Sequence, residues 1–308
     1  MAGPVFQRLA LIGIGLIGSS IALAARKYGL AGHVSVNSRT QKTLARAKEL
    51  GLGDSWHDAP SAAVAGADCV ILCVPVGACG ETASAIADAL APDAVVSDVG
   101  SVKASVVAAM APHLPANINF VPAHPVAGTE YSGPDAGFAE LFENRWTILT
   151  PPAGTDAAAV ARLKQFWSGA GASVEIMDPH HHDMVLAITS HVPHLIAYNI
   201  VGTAAHLEEV TESEVMKFSA GGFRDFTRIA ASDPTMWRDV FLNNREAVLE
   251  MLGRFTEDLT ALQRAIRFGE GDKLFDLFTR TRAIRRGIIE AGQETAAPDF
   301  GRPHGGEE

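Results

Sequence analysis

The chain has 308 residues, 47% hydrophobic and 19% charged, which is enough for a sizeable core and more than one average domain. A formal charge of −10 excludes a broad basic face for nucleic acid or an anionic membrane. Three cysteines, Cys69, Cys73 and Cys79, crowd into one strand-like stretch, which excludes a disulfide scaffold and fits a reducing compartment, the cytoplasm.

The uncharged run at residues 9–25 has the length of a signal-peptide core. A lone Arg8 before it and three glycines within it fit a buried strand, a turn and a helix start instead. Strands are predicted at residues 9–12, 34–36, 69–74, 95–98, 119–122 and 146–150, alternating with Ala-rich helical patterns at 40–50, 80–90 and 103–110. A helix at 157–169 and a closing strand at 173–177 follow. This βαβα order predicts an α/β fold, a doubly wound parallel sheet of the Rossmann type.

Beyond residue 178 the strand signals stop. Residues 180–205 are helix-compatible, and 237–268 carry an apolar stripe that includes Val240, Phe241, Val248, Met251, Phe255 and Leu259. A last helix is predicted at 272–291. The expected organisation is a nucleotide-binding domain at 1–178, an all-α substrate and dimerisation domain at 179–293, and a disordered tail at 294–308. Apolar stripes this rich on few helices predict a homodimer.

Gly13-Ile14-Gly15-Leu16-Ile17-Gly18 is a GxGxxG turn between an apolar strand and a helix. Gly13 makes the turn, Gly15 lets the backbone approach a pyrophosphate, and Gly18 permits close helix–strand packing. The amides of Leu16 and Ile17 open the helix and face the phosphates with its positive dipole end. An NAD site usually carries an acid about 20 residues on. Here the second strand ends Val36-Asn37-Ser38-Arg39-Thr40, with no carboxylate. Ser38, Arg39 and Thr43 suit a 2′-phosphate, so NADP is the expected cofactor and NAD the alternative.

Further segments are more particular: Asp98-Val99-Gly100-Ser101-Val102-Lys103, His124-Pro125-Val126-Ala127-Gly128-Thr129-Glu130, Ser190-His191-Val192-Pro193-His194, the run from Gly222 to Ala230, and Asp233-Pro234-Thr235-Met236-Trp237. Together they closely resemble the prephenate/arogenate dehydrogenase family of tyrosine biosynthesis, over roughly residues 6–292. The resemblance implies a Rossmann domain joined to a helical dimerisation domain. It also implies oxidative decarboxylation of prephenate to 4-hydroxyphenylpyruvate or of arogenate to tyrosine.

The resemblance assigns the catalytic base to His124 and a substrate-hydroxyl partner to Ser101, which also reads as a helix N-cap. It makes Arg228 the carboxylate clamp and puts Ser190, His194 and Trp237 beside the substrate, with Trp237 in this family able to reach a neighbouring subunit. Val74 and Pro75 fall where the family's cofactor passes. No metal is called for: His180-His181-His182-Asp183 follows Pro179 at a helix start and reads as an exposed polar cap. An acid near the substrate would favour the amine of arogenate, and Glu209, Glu212 and Glu214 lie in the relevant half. Competing readings are a β-hydroxyacid dehydrogenase or imine reductase of similar architecture, and a non-catalytic NADP-binding sensor.

Overall fold

The computed structural model describes residues 3–211 and 221–290. Glu212, Glu214 and the expected tail at 294–308 lie outside the described residues, as does the side chain of Glu209. Strands β1 (Phe6–Ile12), β2 (Ala31–Asn37), β3 (Ser55–His57), β4 (Cys69–Leu72), β5 (Val95–Asp98) and β6 (Asn119–Phe120) form one parallel sheet in the order β3-β2-β1-β4-β5-β6. β3 was not among the predicted strands, being three residues of mixed polarity. Alternation along β1 feeds two cores. Leu9 and Leu11 pack with Ile21, Phe166 and Trp167 on one face. Ala10 and Ile12 pack with Val64, Cys79, Ile86 and Val106 on the other. Strands buried on both faces read as continuous apolar runs, which is why most were visible in the sequence.

The helices between these strands are α1 (Leu16–Lys27), α2 (Gln41–Glu49), α3 (Pro60–Val64), α4 (Cys79–Ile86) and α5 (Ala104–Met110). Strand order reverses between β1 and β4, and in such sheets ligands bind at the carboxyl ends beside the reversal. The glycine turn after β1 and the Cys73–Val76 loop after β4 meet there.

One expectation is corrected. The predicted strand at 119–122 ends early, and the chain passes into a second sheet of β7 (Ala123–Pro125), β8 (Trp146–Leu149) and β9 (Ser173–Ile176). β7 runs antiparallel to β8, and β8 parallel to β9 across α6 (Ala157–Gly169). The amide of Val121 still bonds the first sheet at Val96, while Pro122 has no N–H to continue that ladder, and its carbonyl accepts from Thr150 in the second sheet.

The helical part begins with α7 (Pro179–Leu186), a π-turn at Ala187–His191 and α8 (Val192–Thr211). A short helix Gly221–Thr227, a 3₁₀ turn Arg228–Ala231 and helices Pro234–Asn243, Arg245–Arg267 and Gly271–Glu290 follow. The apolar stripe at 237–268 is shared by two of these helices, which part at Asn244, whose backbone leaves the helical region at φ −113°, ψ 34°.

The chain divides into two compact units, one through Met251 and one from Leu252. In the second, Gly269 takes the left-handed φ of 67° and ends its helix, with the Glu270 amide bonding back to Ala265 at 2.9 Å. Leu259, Ile266, Phe268, Phe275, Phe278 and Ile284 are exposed there.

Candidate active site

The turn after β1 is shaped by its glycines in three different ways. Gly13 has φ +100°, and a Cβ on it would lie 2.4 Å from the Cys73 carbonyl oxygen. A Cβ on Gly18 would lie 2.3 Å from the Gly13 carbonyl oxygen, so these two let β1, α1 and the β4 loop close on one another. A Cβ on Gly15 would meet nothing within 4 Å, and the α1 N-terminus has no side-chain cap. Space and uncapped amides at a helix start fit a pyrophosphate. Val74 lies against this turn, its Cγ1 3.4 Å from the position of a Gly13 Cβ, and Pro75 is exposed beside it.

At the end of β2, Asn37 is buried, its side-chain amide donating to the carbonyls of His57 and Asp58 at 2.9 and 3.0 Å. Ser38 is half-buried and Arg39 is exposed. Thr43 is half-buried, and its hydroxyl accepts from Thr40, the N-cap of α2, at 2.8 Å.

His124 stands on β7 and is 6% exposed. The residue before it, Ala123, is held through both of its backbone polar groups. The Ala123 N–H donates to Asp98 Oδ1 at 3.3 Å, and its carbonyl accepts from Lys103 Nζ at 2.8 Å. Lys103 and Asp98 are themselves fully buried and ion-paired through Oδ2. A buried charge pair of this kind persists because its hydrogen bonds are filled on both partners.

The imidazole is oriented from behind. His124 Nδ1 lies 2.8 Å from His182 Nε2, and His182 Nδ1 lies 2.8 Å from Asp183 Oδ1. A carboxylate only accepts, so His182 donates from Nδ1 and receives at Nε2. His124 must then donate from Nδ1, which leaves the lone pair on Nε2. Burial, followed by His182 and the Lys103 cation, pushes the His124 pKa well below the ordinary imidazole value, so the ring is neutral.

Two expectations change here. The polar run after Pro179 is not a uniformly exposed cap. Asp178 caps α7, His180 and His181 are exposed, and His182 and Asp183 are buried at 0% and 4% exposure. Nor is Ser101 an N-cap: Lys103 occupies that position of α5, and the first amides, Lys103 N and Ala104 N, donate to the two carboxylate oxygens of Asp183 at 2.8 and 2.9 Å. Ser101 is half-buried in the bend before α5, its backbone beside His191.

A second set of groups joins the first through Asn244. The amide of Asn244 donates to the Asp183 carbonyl at 2.9 Å and to His191 Nδ1 at 3.0 Å. His191 is fully buried, and burial lowers its pKa to about 4. Its ring meets Trp237 edge-on at 6.0 Å, and Trp237 stacks on His194 at 3.7 Å. Trp237 thus lies in its own chain's core, packed with Val240. His194 donates from Nδ1 to the Ser190 carbonyl at 2.8 Å and keeps Nε2 as an acceptor. Burial and the Arg228 cation lower its pKa. Arg228 lies 3.5 Å from Glu130, on the loop that follows His124.

The chain matches the nucleotide-binding domain of prephenate dehydrogenase at residues 21–176 and the prephenate dehydrogenase dimerization domain at 178–280. It belongs to the prephenate dehydrogenase family. Cyclohexadienyl dehydrogenase of Zymomonas mobilis is 46% identical, covering 91% of this chain and 96% of that protein. Prephenate dehydrogenase of Bacillus subtilis is 35% identical over 95% of this chain and 78% of its own length. The crystal structure of Aquifex aeolicus prephenate dehydrogenase, in complex with hydroxyphenyl propionate and NAD+, superposes with a TM-score of 0.85 at 34% identity, covering 92% of this chain and 98% of that one. Synechocystis arogenate dehydrogenase gives 0.78 at 27% identity, over 92% and 100% of the two chains.

Within this member of the family, sequence reasoning missed Asp98, Lys103, His182, Asp183, His191 and Asn244. A signal existed for two of them. Helical spacing puts His182 and Asp183 on the same face of α7 as the buried Leu186 and Ala187. The run Pro179–His206 is also long and apolar enough to cross a membrane by composition, yet it carries His182, Asp183, His191 and His194.

Proposed function

We propose that this oxidoreductase oxidises and decarboxylates prephenate and arogenate, with NADP as the preferred cofactor and NAD as the alternative. The observation that carries this reading is His124, a buried neutral imidazole whose Nε2 is left as an acceptor, in a chain of this family. When bound in the cradle, a nicotinamide would supply the acceptor for the hydride lost from the ring carbinol carbon.

The remaining work falls to the chain. Gly13, Gly15, Leu16, Ile17 and Gly18 hold the pyrophosphate, and Val74 and Pro75 border the ribose or nicotinamide. Ser38, Arg39 and Thr43 receive the 2′-phosphate, a role supported by an exposed arginine and the lack of an acid at residues 36–40. Ser101 orients the substrate hydroxyl towards His124 Nε2, which accepts its proton. Arg228 clamps a carboxylate, while Ser190, His194 and Trp237 border the substrate. Glu130, held beside Arg228, gives the amine of arogenate a partner and supports acceptance of that substrate beside prephenate.

In this reading the nucleotide-binding domain ends at residue 178 and the helical domain occupies 179–293. The helical domain pairs two chains in a cytoplasmic homodimer, and the exposed Leu259, Phe275 and Phe278 support that pairing. His124→Asn tests the reading. A positioned base contributes about 10²–10⁴ in rate, so kcat should fall by that factor while nucleotide affinity stays within about twofold. A variant with wild-type kcat would remove His124 from the reaction.

A further inference from the structure

Loss of a proton to His124 creates an electrostatic problem. An imidazolium there would be buried, beside the Lys103 ammonium that bonds the preceding carbonyl. Charge of the same sign in a dry site disfavours it. Behind His124, however, the same proton would lie next to a carboxylate. Asp183 accepts from His182 and from two backbone amides, so it is locked in orientation on both oxygens. His182 is fully buried, with its Nε2 lone pair aimed at the His124 N–H.

We infer that His182 and Asp183 form a proton relay behind His124: as the substrate proton arrives on His124 Nε2, the His124 Nδ1 proton moves to His182 Nε2. The charge then rests on a His182 imidazolium paired with Asp183, and His124 stays neutral. This rests on the reading of His124 as the base. The chemistry also requires the proton back. Oxidation of the carbinol converts C–OH to C=O with release of H⁺. Loss of CO₂ from the opposite ring carbon leaves its bonding electron pair in the ring, and the same oxygen becomes a phenolate. The phenolate takes one proton to give the phenol, so the overall reaction releases none. A store two imidazoles deep returns to that oxygen the proton it lent. His182 and Asp183 act through His124 and are positioning residues.

The charged and titratable groups around the pair are Asp183 and His182 on α7, Lys103 before α5, Asp98 at the end of β5, and His191 in the π-turn. Burial is the largest influence on His182 and lowers its pKa, while Asp183 opposes that and favours its protonated form.

Two substitutions separate relay from scaffold. In His182→Gln a carboxamide oxygen can still accept from His124 Nδ1 but cannot carry a proton, whereas His182→Leu loses both. Steady-state kinetics across pH should show His182→Gln with KM within about twofold of wild type. Its kcat should fall about 10²-fold, the lower end of what a positioned base contributes, and its acid limb should move to lower pH, because only His124 remains to titrate. A His182→Gln enzyme with wild-type kcat and an unmoved acid limb, beside an impaired His182→Leu, would overturn the relay and leave His182 as a scaffold. Failure of the His124 reading looks different: His124→Asn then keeps wild-type kcat, whatever His182 does.

Discussion

Alanine at each of the three glycines of the β1–α1 turn should produce three different proteins, because their surroundings differ. At Gly13 a side chain must adopt φ +100°, outside the usual range of L residues, and push against the Cys73 carbonyl at 2.4 Å. Left-handed backbone costs about 1–2 kcal/mol and overpacking about 1–3, so Gly13→Ala should lose about 2–5 kcal/mol of stability. Gly18→Ala forces a methyl to 2.3 Å from the Gly13 carbonyl. Its cost of about 1–3 kcal/mol is partly offset by the ~1 kcal/mol better helix propensity of alanine. Gly15 has φ −80°, which alanine adopts freely, and open space around it. Gly15→Ala should leave stability unchanged or raise it by about 0.4–1 kcal/mol through the unfolded chain. The same methyl holds a pyrophosphate off the α1 amides, and losing one charge-assisted hydrogen bond costs about 1.5–3 kcal/mol. Nucleotide affinity should then fall roughly ten- to a hundredfold. Denaturant titration and calorimetric titration with NADP+ on the three variants give both quantities. A Gly15→Ala protein that binds nucleotide normally, or is as unstable as Gly13→Ala, would refute the placement of the phosphates.

Arg39→Ala should weaken NADP+ by roughly ten- to a hundredfold for the lost phosphate contact while leaving NAD+ nearly unaffected; equal weakening of both in a binding titration would count against a 2′-phosphate site. Arg228→Ala should raise KM strongly, and Arg228→Lys should restore it only in part because the bidentate fork is lost; an unchanged KM places the carboxylate elsewhere. Stability should decline as pH falls below about 6.5. The native state holds His124, His182 and His191 neutral below their ordinary pKa, so the unfolded chain takes up protons first. For His191, with a pKa of about 4, a shift near 2.5 units at about 1.36 kcal/mol each amounts to about 3 kcal/mol lost between pH 6.5 and 4. Denaturant midpoints that stay flat over that window would contradict the burial of these rings.

The readable parts of the sequence were those whose cause is local. The glycine turn, the apolar strands and the Asp178–Pro179 helix start each follow from residues a few positions apart. His124 stood out only because its flanking segment resembles a family. What escaped depends on partners that arrive from far along the chain. Asp183 caps α5 from 80 residues away, and His182 reaches His124 across 58. Three consecutive histidines beside a proline look solvated until α7 turns two of the four polar groups inward. Ser101 looked like a cap because nothing local says that a distant carboxylate already fills the role. Asn244 broke a periodic stripe for a similar reason, since its amide is spent on Asp183 and His191. The switch of sheets at Pro122 was hidden in an apolar run that continues through both.

The most direct test is to supply the purified protein with prephenate or arogenate, each with NADP+ or NAD+, and follow nucleotide reduction and CO₂ release together. Equal amounts of reduced nucleotide and CO₂ are expected, with 4-hydroxyphenylpyruvate or tyrosine as product, faster turnover with NADP+, and near-complete loss in His124→Asn. A protein that binds the nucleotide yet reduces none with either substrate would contradict the proposed reaction at its root.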